Sequence, residues 1–106
     1  MSLQKVELSV PTLELSPLAK EDLADIREYS VVQFGEDVAD DYVRGFAEAF
    51  DRLIDFPKIG PVVPNVTGER RMLSHRSHYI FYRLNGDSIW IIRILHKARD
   101  AEATLN

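Results

Sequence analysis

The spacing of apolar residues changes from three- and four-residue steps in the first half of the chain to strand-like runs in the second half. The clearest strand pattern lies in residues 70–96, where β-rich runs flank the pair Asn85-Gly86. Both residues tolerate the positive φ that the central positions of a type I′ turn require, so the pair predicts a tight antiparallel hairpin. A β-rich run before the hairpin completes three consecutive antiparallel strands.

A turn centred on Asn85-Gly86 also predicts the register of the hairpin. Both of its faces would be largely apolar, which is typical of a hairpin that is covered on both sides. One helical layer covers only one side of a small sheet, so we expect a partner protein, the N-terminal residues or a second copy to cover part of the other. The predicted pairs are Leu84–Asp87, Tyr82–Ile89, Ile80–Ile91 and His78–Arg93 on one face, and Phe81–Trp90 and Tyr79–Ile92 on the other.

Two amphipathic helices are predicted before the hairpin. Ser16-Pro17 is a helix start, because Ser caps free backbone N–H groups and Pro suits the first helical position. Gly35 ends the first helix, and the second is predicted over residues 36–55, with Phe56-Pro57 closing it. The buried face of the first helix is predicted to hold Ala19, Leu23, Ile26 and Ser30, with Tyr29 and Val32 beside them. The second carries a stripe of Ala39, Tyr42, Phe46, Ala49, Phe50 and Leu53.

The remaining segments complete one domain over residues 1–106. A strand is predicted at residues 12–16, and because Pro11 cannot donate to a sheet ladder, residues 1–11 are an edge extension or a loose N-terminal arm. Residues 57–68 form a constrained loop, and residues 97–106 are weakly helical. We therefore predict an α+β fold of order β-α-α-β-β-β, in which an antiparallel two-helix hairpin packs on one face of a sheet containing a three-stranded antiparallel meander.

Charge divides the chain more sharply than its net value of −4 suggests. Residues 1–56 carry five Lys and Arg against thirteen Asp and Glu, whereas residues 57–106 carry eight against four. The sheet half is thus basic, yet the pI near 5.3 argues against tight, sequence-independent binding of nucleic acid. The chain has no cysteine, no signal-peptide pattern and no apolar run near the ~20 residues that span a bilayer, so we expect a cytoplasmic protein without a membrane segment.

Basic and aromatic residues of the sheet half are the candidate binding residues. Arginine forks bind phosphate or carboxylate, although strand arginines also pair with helix acids, and Arg93 between two isoleucines is expected to do so. Metal-ligand spacing, phosphate loops and a nucleophile with its base are absent from the sequence, so no metal or cofactor is predicted. The candidates for target or partner binding are Arg70, Arg71, Tyr79, Arg83, Trp90, Arg93, His96 and Arg99.

Several segments, in this order and spacing, resemble the ParE branch of the ParE/RelE toxin superfamily. The resemblance covers about residues 13–105, and its most specific parts are HYIFYR at 78–83 and IIRILH at 91–96. It implies the toxin of a bacterial type II toxin-antitoxin system, with a fold in which the first strand joins the later three. Members of the ParE branch inhibit DNA gyrase, whereas RelE-like relatives cut messenger RNA on the ribosome.

The two branches imply different residues. A RelE-like nuclease would use His96, Arg99 and Arg71, but it relies on a C-terminal Tyr or His for acid-base work, and residues 97–106 contain neither. We therefore favour a gyrase inhibitor that is not an enzyme and that a ParD-like antitoxin neutralises within a hetero-oligomer. A non-toxic relative that only binds its antitoxin is the third possibility. The antitoxin is expected to use an amphipathic segment whose acids meet Arg71, Arg83 or Arg93.

Overall fold

The structure is a computed structural model that describes residues 12–106, so the arm predicted for residues 1–11 lies outside the described residues. Its order, β-α-α-β-β-β followed by a short helix, confirms the predicted fold. The elements are β1 (Thr12–Leu15), α1 (Pro17–Phe34), α2 (Glu36–Asp55), β2 (Arg71–His75), β3 (His78–Asn85), β4 (Ser88–His96) and α3 (Ala101–Leu105).

The four strands form one sheet in the order β1-β4-β3-β2. The last three strands form the predicted antiparallel meander, and β1 pairs parallel to β4, which makes the sheet mixed. A chain that leaves β1 and must return to lie parallel beside it needs a long crossover, and the helical hairpin with β2 and β3 provides it. The first strand is therefore held by the last.

Local chemistry determines the limits of both long helices. The Ser16 Oγ accepts a hydrogen bond from the Ala19 N–H at 3.0 Å, and Pro17 is the first residue of α1. Gly35, at a φ of +89°, ends α1 and donates from its N–H to the Val31 carbonyl. A residue with a side chain is strained at that φ, so glycine allows the sharp connection between the two helices.

The core lies between the helical hairpin and one face of the sheet. Its fully buried side chains come from alternate strand positions and from the apolar stripe of α2, as the three- and four-residue spacing predicted. Tyr29 and Val32 were expected beside this buried face, but they are 65% and 75% exposed because the sheet does not reach their side of α1. The core cluster consists of Ala19, Phe46, Ala49, Leu53, Ile80, Tyr82, Ile89, Ile91 and Ile94.

The predicted register of the hairpin is wrong, because the turn lies one residue later. Asn85 pairs with Ser88, so Gly86 and Asp87 form the turn, and only Gly86 has the positive φ, at +59°. Moving the turn by one residue changes each partner by two positions. A register shift between Phe81 and Tyr82 then adds one more residue to β4. The observed pairs include Leu84–Ile89, Arg83–Trp90, Tyr82–Ile91, Phe81–Arg93, Ile80–Ile94, Tyr79–Leu95 and His78–His96.

The start of α1 closes the edge of β4 beyond the end of β1. The Ser16 N–H donates to the Ile91 carbonyl at 2.9 Å, and the Ser16 hydroxyl donates to the Ile92 carbonyl at 2.7 Å. Six residues later, the Asp22 carboxylate accepts from the Ile94 N–H at 2.9 Å. Side chains of α1 thus bind backbone groups that a neighbouring strand would otherwise bind.

The loop between α2 and β2 is fixed at two places. Gly60 lies so close to β2 that a Cβ there would approach the Met72 carbonyl oxygen to 2.6 Å, which explains the glycine. At the other end, the Asn106 side chain accepts from the Thr67 N–H at 2.8 Å and donates to the Asn65 carbonyl at 3.1 Å. The constrained loop and the weak C-terminal helix that the sequence predicted therefore contact each other.

Candidate functional site

The sheet face away from α1 and α2, called the outer face, carries several of the candidate side chains. Alternation with the core residues places Tyr79, Phe81, Arg83, Trp90 and Leu95 there. Phe81 and Leu95 are buried, and Tyr79 and Trp90 are half-buried.

Two cations accompany the outer-face aromatics. Lys97 Nζ lies 5.1 Å from the centre of the Tyr79 ring, a distance at which the ring attracts a cation. Arg83 lies opposite Trp90 and is exposed. Within residues 12–106, no carboxylate lies at ion-pair distance from Arg83, Arg70 or Arg99. An anionic partner would therefore break no ion pair that these three guanidinium groups make within the described part of the chain.

Arg93 is a structural residue, as its place between two isoleucines predicted. Its Nε and Nη2 donate to the two carboxylate oxygens of Asp22 at 2.8 and 2.9 Å, and both side chains are largely buried. The hydrogen bond with Asp22 raises the pKa of the Arg93 guanidinium despite burial. The same carboxylate binds the Ile94 N–H, so the ion pair ties the start of α1 to the edge of β4.

Arg71 is also held by its own chain. Its Nη1 donates to the Gly60 carbonyl at 2.9 Å, and its side chain is only 16% exposed. Beside it, the buried Tyr82 hydroxyl donates to the Pro57 carbonyl at 2.8 Å and accepts from the Gly60 N–H at 2.9 Å. Burial raises the pKa of the Tyr82 hydroxyl. Together these residues fix the loop on the sheet.

Three histidines lie at the other end of the sheet. His78 pairs with His96 across β3 and β4, not with Arg93 as predicted, and the two rings are 5.4 Å apart. The His78 Nδ1 is 2.8 Å from the Tyr42 hydroxyl. Burial, followed by the charges of His96 and His75, lowers the pKa of His78 to about 4. His78 is therefore neutral at pH 7.

His96 is the most accessible of the three. Its Nδ1 accepts a hydrogen bond from the Ala98 N–H at 3.0 Å, so its Nε2 carries the proton of the neutral ring. His75 packs against Phe46 with ring centres 4.7 Å apart, and burial lowers its pKa. No group of three or more metal-ligating side chains is found in the described part of the chain. The histidines thus do not form a metal site there.

A groove lies beside these histidines, between the helical hairpin and the ends of β3 and β4. We call it the hairpin groove; its volume is about 620 Å³. The sequence did not reveal it, because its walls come from three distant segments. Its lining residues are Asp22, Asp25, Ile26, Tyr29, Ser30, Phe34, Val38, Tyr42, Ser77, His78, Ile94, Leu95, His96 and Arg99.

Comparison with known proteins identifies the family. A family model described as the ParE toxin of the type II toxin-antitoxin system parDE matches residues 13–101, most of the chain. The chain belongs to the ParE toxin family. Toxin ParE1 of Mycobacterium tuberculosis is 35% identical over 92 residues, and Toxin ParE1 of Caulobacter vibrioides is 36% identical over 91 residues; each alignment covers 86% of this chain and 94% of the relative.

A solved structure supports the ParE fold. A chain of the structure described as the chromosomal ParDE TA system from P. aeruginosa has a TM-score of 0.70 and 24% sequence identity, and the match covers 83% of this chain and 97% of that chain. Among the helices of the described residues, none is long and apolar enough to cross a membrane.

Against this ParE background, the residues that a RelE-like nuclease would use do not come together. Arg71 on β2 pairs with Tyr82 on β3, whereas His96 on β4 pairs with His78 on β3. Arg71 and His96 are therefore four residues apart along the strand direction and two strands apart across the sheet. Strand geometry separates their backbones by roughly 16 Å. Arg99 does join His96 at the hairpin groove, but Arg71 lies at the far end with its guanidinium on the loop.

Proposed function

We propose that this ParE family member is a toxin that inhibits DNA gyrase by binding, without nuclease activity, and that a cognate ParD-like antitoxin neutralises it by direct contact. The proposal makes it a bacterial cytoplasmic protein that forms a toxin-antitoxin hetero-oligomer. The observation that carries it is the separation of Arg71 from His96 within a chain of the ParE family.

Cleavage of RNA needs an acid and a base on opposite sides of the scissile phosphate, supported by cations that stabilise the transition state. His96 offers one free ring nitrogen, with Arg99 as the candidate cation at the same groove. The other candidate cation, Arg71, is bound to backbone carbonyls. This arrangement favours a binding protein over a nuclease.

The cations that remain free are the candidate contacts for gyrase or the antitoxin. Arg70, Arg83 and Arg99 have no ion pair in the described part of the chain, and Tyr79 and Trp90 contribute half-buried rings. Aromatic and arginine side chains are the types that most often carry interface energy. Arg71 and Arg93 remain candidates as well, although each guanidinium already makes hydrogen bonds within the fold.

Purified protein tests the proposal in two parallel reactions. We expect it to disturb plasmid supercoiling by purified gyrase and to leave ribosome-bound messenger RNA intact, and we expect equimolar antitoxin to restore supercoiling. Arg83→Ala should weaken inhibition while keeping the wild-type melting temperature. Codon-dependent RNA cleavage that disappears in His96→Ala would instead establish a RelE-like nuclease. No effect in either reaction, with antitoxin still bound, would establish a non-toxic relative.

A further inference from the structure

A short loop after α2 combines a fixed backbone with exposed apolar side chains. It consists of residues 56–60, with the sequence FPKIG, and we call it the anchor loop. We infer that the toxin contacts its target through this loop, and that Phe56 and Ile59 enter an apolar pocket on the surface of gyrase. This inference rests on the proposed function and adds to it the site on the toxin and the chemistry of the site on the target.

The large apolar side chains of the anchor loop face solvent. Phe56 is 64% exposed, Ile59 is 48% exposed, and Val62, just beyond the loop, is 51% exposed. None of the three belongs to the core cluster or to the partly buried residues that pack against it. Single exposed apolar residues are ordinary on protein surfaces, but three within seven residues concentrate apolar surface in one place, as interaction sites do.

The backbone of the anchor loop, by contrast, is fixed from inside the protein. The buried Tyr82 hydroxyl donates to the Pro57 carbonyl and accepts from the Gly60 N–H. Within the loop, the Ile59 N–H donates to the Phe56 carbonyl at 3.0 Å. A loop whose backbone is already ordered loses little conformational entropy when a partner binds. The exposed side chains are therefore presented in advance for contact with a partner.

The shape of the anchor loop selects the kind of partner. The surface hollow beside it is lined by residues 55–59 alone, so no second element among residues 12–106 forms an opposing wall. An amphipathic segment that orders on binding buries its apolar stripe in a groove, which this loop does not provide. A protruding anchor instead needs a concave, preformed apolar pocket, which a folded protein supplies. The loop therefore fits a folded target, gyrase, better than an antitoxin segment.

Two copies of the anchor loop do not make a stable interface with each other. Both loops protrude, so they meet over a small area, whereas a specific interface takes about 20–30 residues from each side. A receiving pocket surrounds the anchors and buries them on several sides. The shape of the loop thus favours a target with a pocket over a second loop.

Two unpaired charges beside the anchors indicate the chemistry at the rim of that pocket. Lys58 lies between the two anchors in sequence and is exposed. Asp55 is the last residue of α2, at the negative end of the helix dipole, where a carboxylate is unfavourable. Neither has an ion-pair partner within residues 12–106. An acid and a base at the rim of the pocket would complement both charges and fix the orientation of the loop.

Two exposed aliphatic residues provide a matched test of the apolar contact. Ile59 belongs to the anchor loop, whereas Val32 lies on α1 and is even more exposed. We expect Ile59→Asp to raise the toxin concentration that half-inhibits supercoiling by purified gyrase at least 30-fold, the equivalent of the about 2 kcal/mol that defines a hot spot. Phe56→Ala should act in the same direction. Val32→Asp introduces the same charge and should change this concentration less than about 3-fold.

A charge reversal tests the rim. Lys58→Glu should weaken binding of the toxin to gyrase about 10-fold at low salt, and less at high salt because ions screen the contact. Lys20→Glu, at an exposed lysine of α1, is the control and should bind like the wild type. Circular dichroism and the Kd for the full-length antitoxin encoded beside the toxin check the folding of every variant. Both should match the wild type, because the replaced side chains are exposed.

The outcomes separate this inference from the proposed function. If Ile59→Asp and Phe56→Ala inhibit gyrase as strongly as the wild type does, the anchor loop is not the contact, and the proposed function still stands. Variants that lose antitoxin binding but keep inhibition would assign the loop to the antitoxin and overturn the inference. A toxin dimer that Phe56→Ala abolishes without changing inhibition would overturn it in favour of a second copy. A wild type that neither binds nor inhibits gyrase would overturn both the inference and the gyrase proposal.

Discussion

Two arginines of the central hairpin differ in their surroundings: Arg93 is largely buried in an ion pair, whereas Arg83 is exposed. Arg93 lies where β1 has ended, so α1 must bind the edge of β4, and Arg93 neutralises the Asp22 carboxylate that binds it. Arg83 lies opposite Trp90, where β1 still pairs with β4, and no backbone group there needs a side chain. In this hairpin, the arginine beside unpaired strand backbone, Arg93, has a structural role. The arginine beside fully paired backbone, Arg83, is exposed and can contact a partner.

The largest effect should come from breaking the ion pair. Arg93→Ala would leave the largely buried Asp22 carboxylate without its partner, and we expect a loss of about 3 kcal/mol in the free energy of unfolding. Urea unfolding followed by circular dichroism measures it. Arg83→Ala is the control and should lose less than about 0.5 kcal/mol. Equal losses in the two variants would contradict the contrast between paired and unpaired positions.

A smaller loss should follow at the loop that Arg71 also contacts. Tyr82→Phe removes the hydroxyl that binds both the Pro57 carbonyl and the Gly60 N–H, and we expect a loss of about 2 kcal/mol because two buried groups lose their partner. The Tyr79 hydroxyl, on the outer face, has no such bonds to residues 12–106, so Tyr79→Phe should remain near the wild type. Hydrogen exchange should also show faster exchange of the Gly60 amide in Tyr82→Phe alone.

The start of α1 permits a third test of how the edge of β4 is closed. Ser16→Ala removes the helix cap on Ala19 and the bond to the Ile92 carbonyl, and we expect it to cost about 1.5 kcal/mol. The exposed Ser74 in β2 supplies the control, Ser74→Ala. Thermal unfolding of both variants should show a lower melting temperature for Ser16→Ala, and its absence would show that the edge does not need this side chain.

The smallest effect should be a dependence of the free energy of unfolding on pH, caused by His78 at the groove. His78 has a folded pKa of about 4, whereas an unfolded histidine titrates near 6.5, so the unfolded state binds more protons between these values. With respect to His78, the free energy of unfolding is therefore highest above about pH 6.5, and it decreases as the pH falls towards 4. Because His78 is partly exposed, we expect this decrease to be only about 1 kcal/mol. The loss of stability from pH 7.5 to pH 5 should be smaller in His78→Gln, and identical losses would refute this assignment.

The sequence predicted features that local chemistry controls. Ser16-Pro17, Gly35 and Phe56-Pro57 set the helix limits because capping and restricted φ act within a few residues. It could not predict the turn position, since Asn85-Gly86 and Gly86-Asp87 both offer a glycine. The choice between them, and the extra residue in β4, depend on packing against other elements.

The candidate site was predictable only in part. Charge and residue type pointed to the arginines, but whether a guanidinium is free depends on partners far away in sequence, as Arg71 and Gly60 show. The groove likewise depends on contacts between residues distant in sequence, since the Tyr42 hydroxyl on α2 lies 2.8 Å from His78 Nδ1 on β3. Exposed Phe34 and Val38 looked like ordinary helix residues because a periodic pattern does not say how far the sheet extends.

The parallel pairing of β1 with β4 has a consequence for synthesis of the protein. Thr12 pairs with Ser88, so β1 cannot join the sheet until β4 has been synthesised. Translation adds about 5–20 residues per second, so the helical hairpin leaves the peptidyl-transferase centre roughly two to eight seconds before β4 is complete. A nascent chain therefore has neither a finished sheet nor a groove. The surfaces formed by the sheet and the groove therefore exist only when nearly the whole chain has been made.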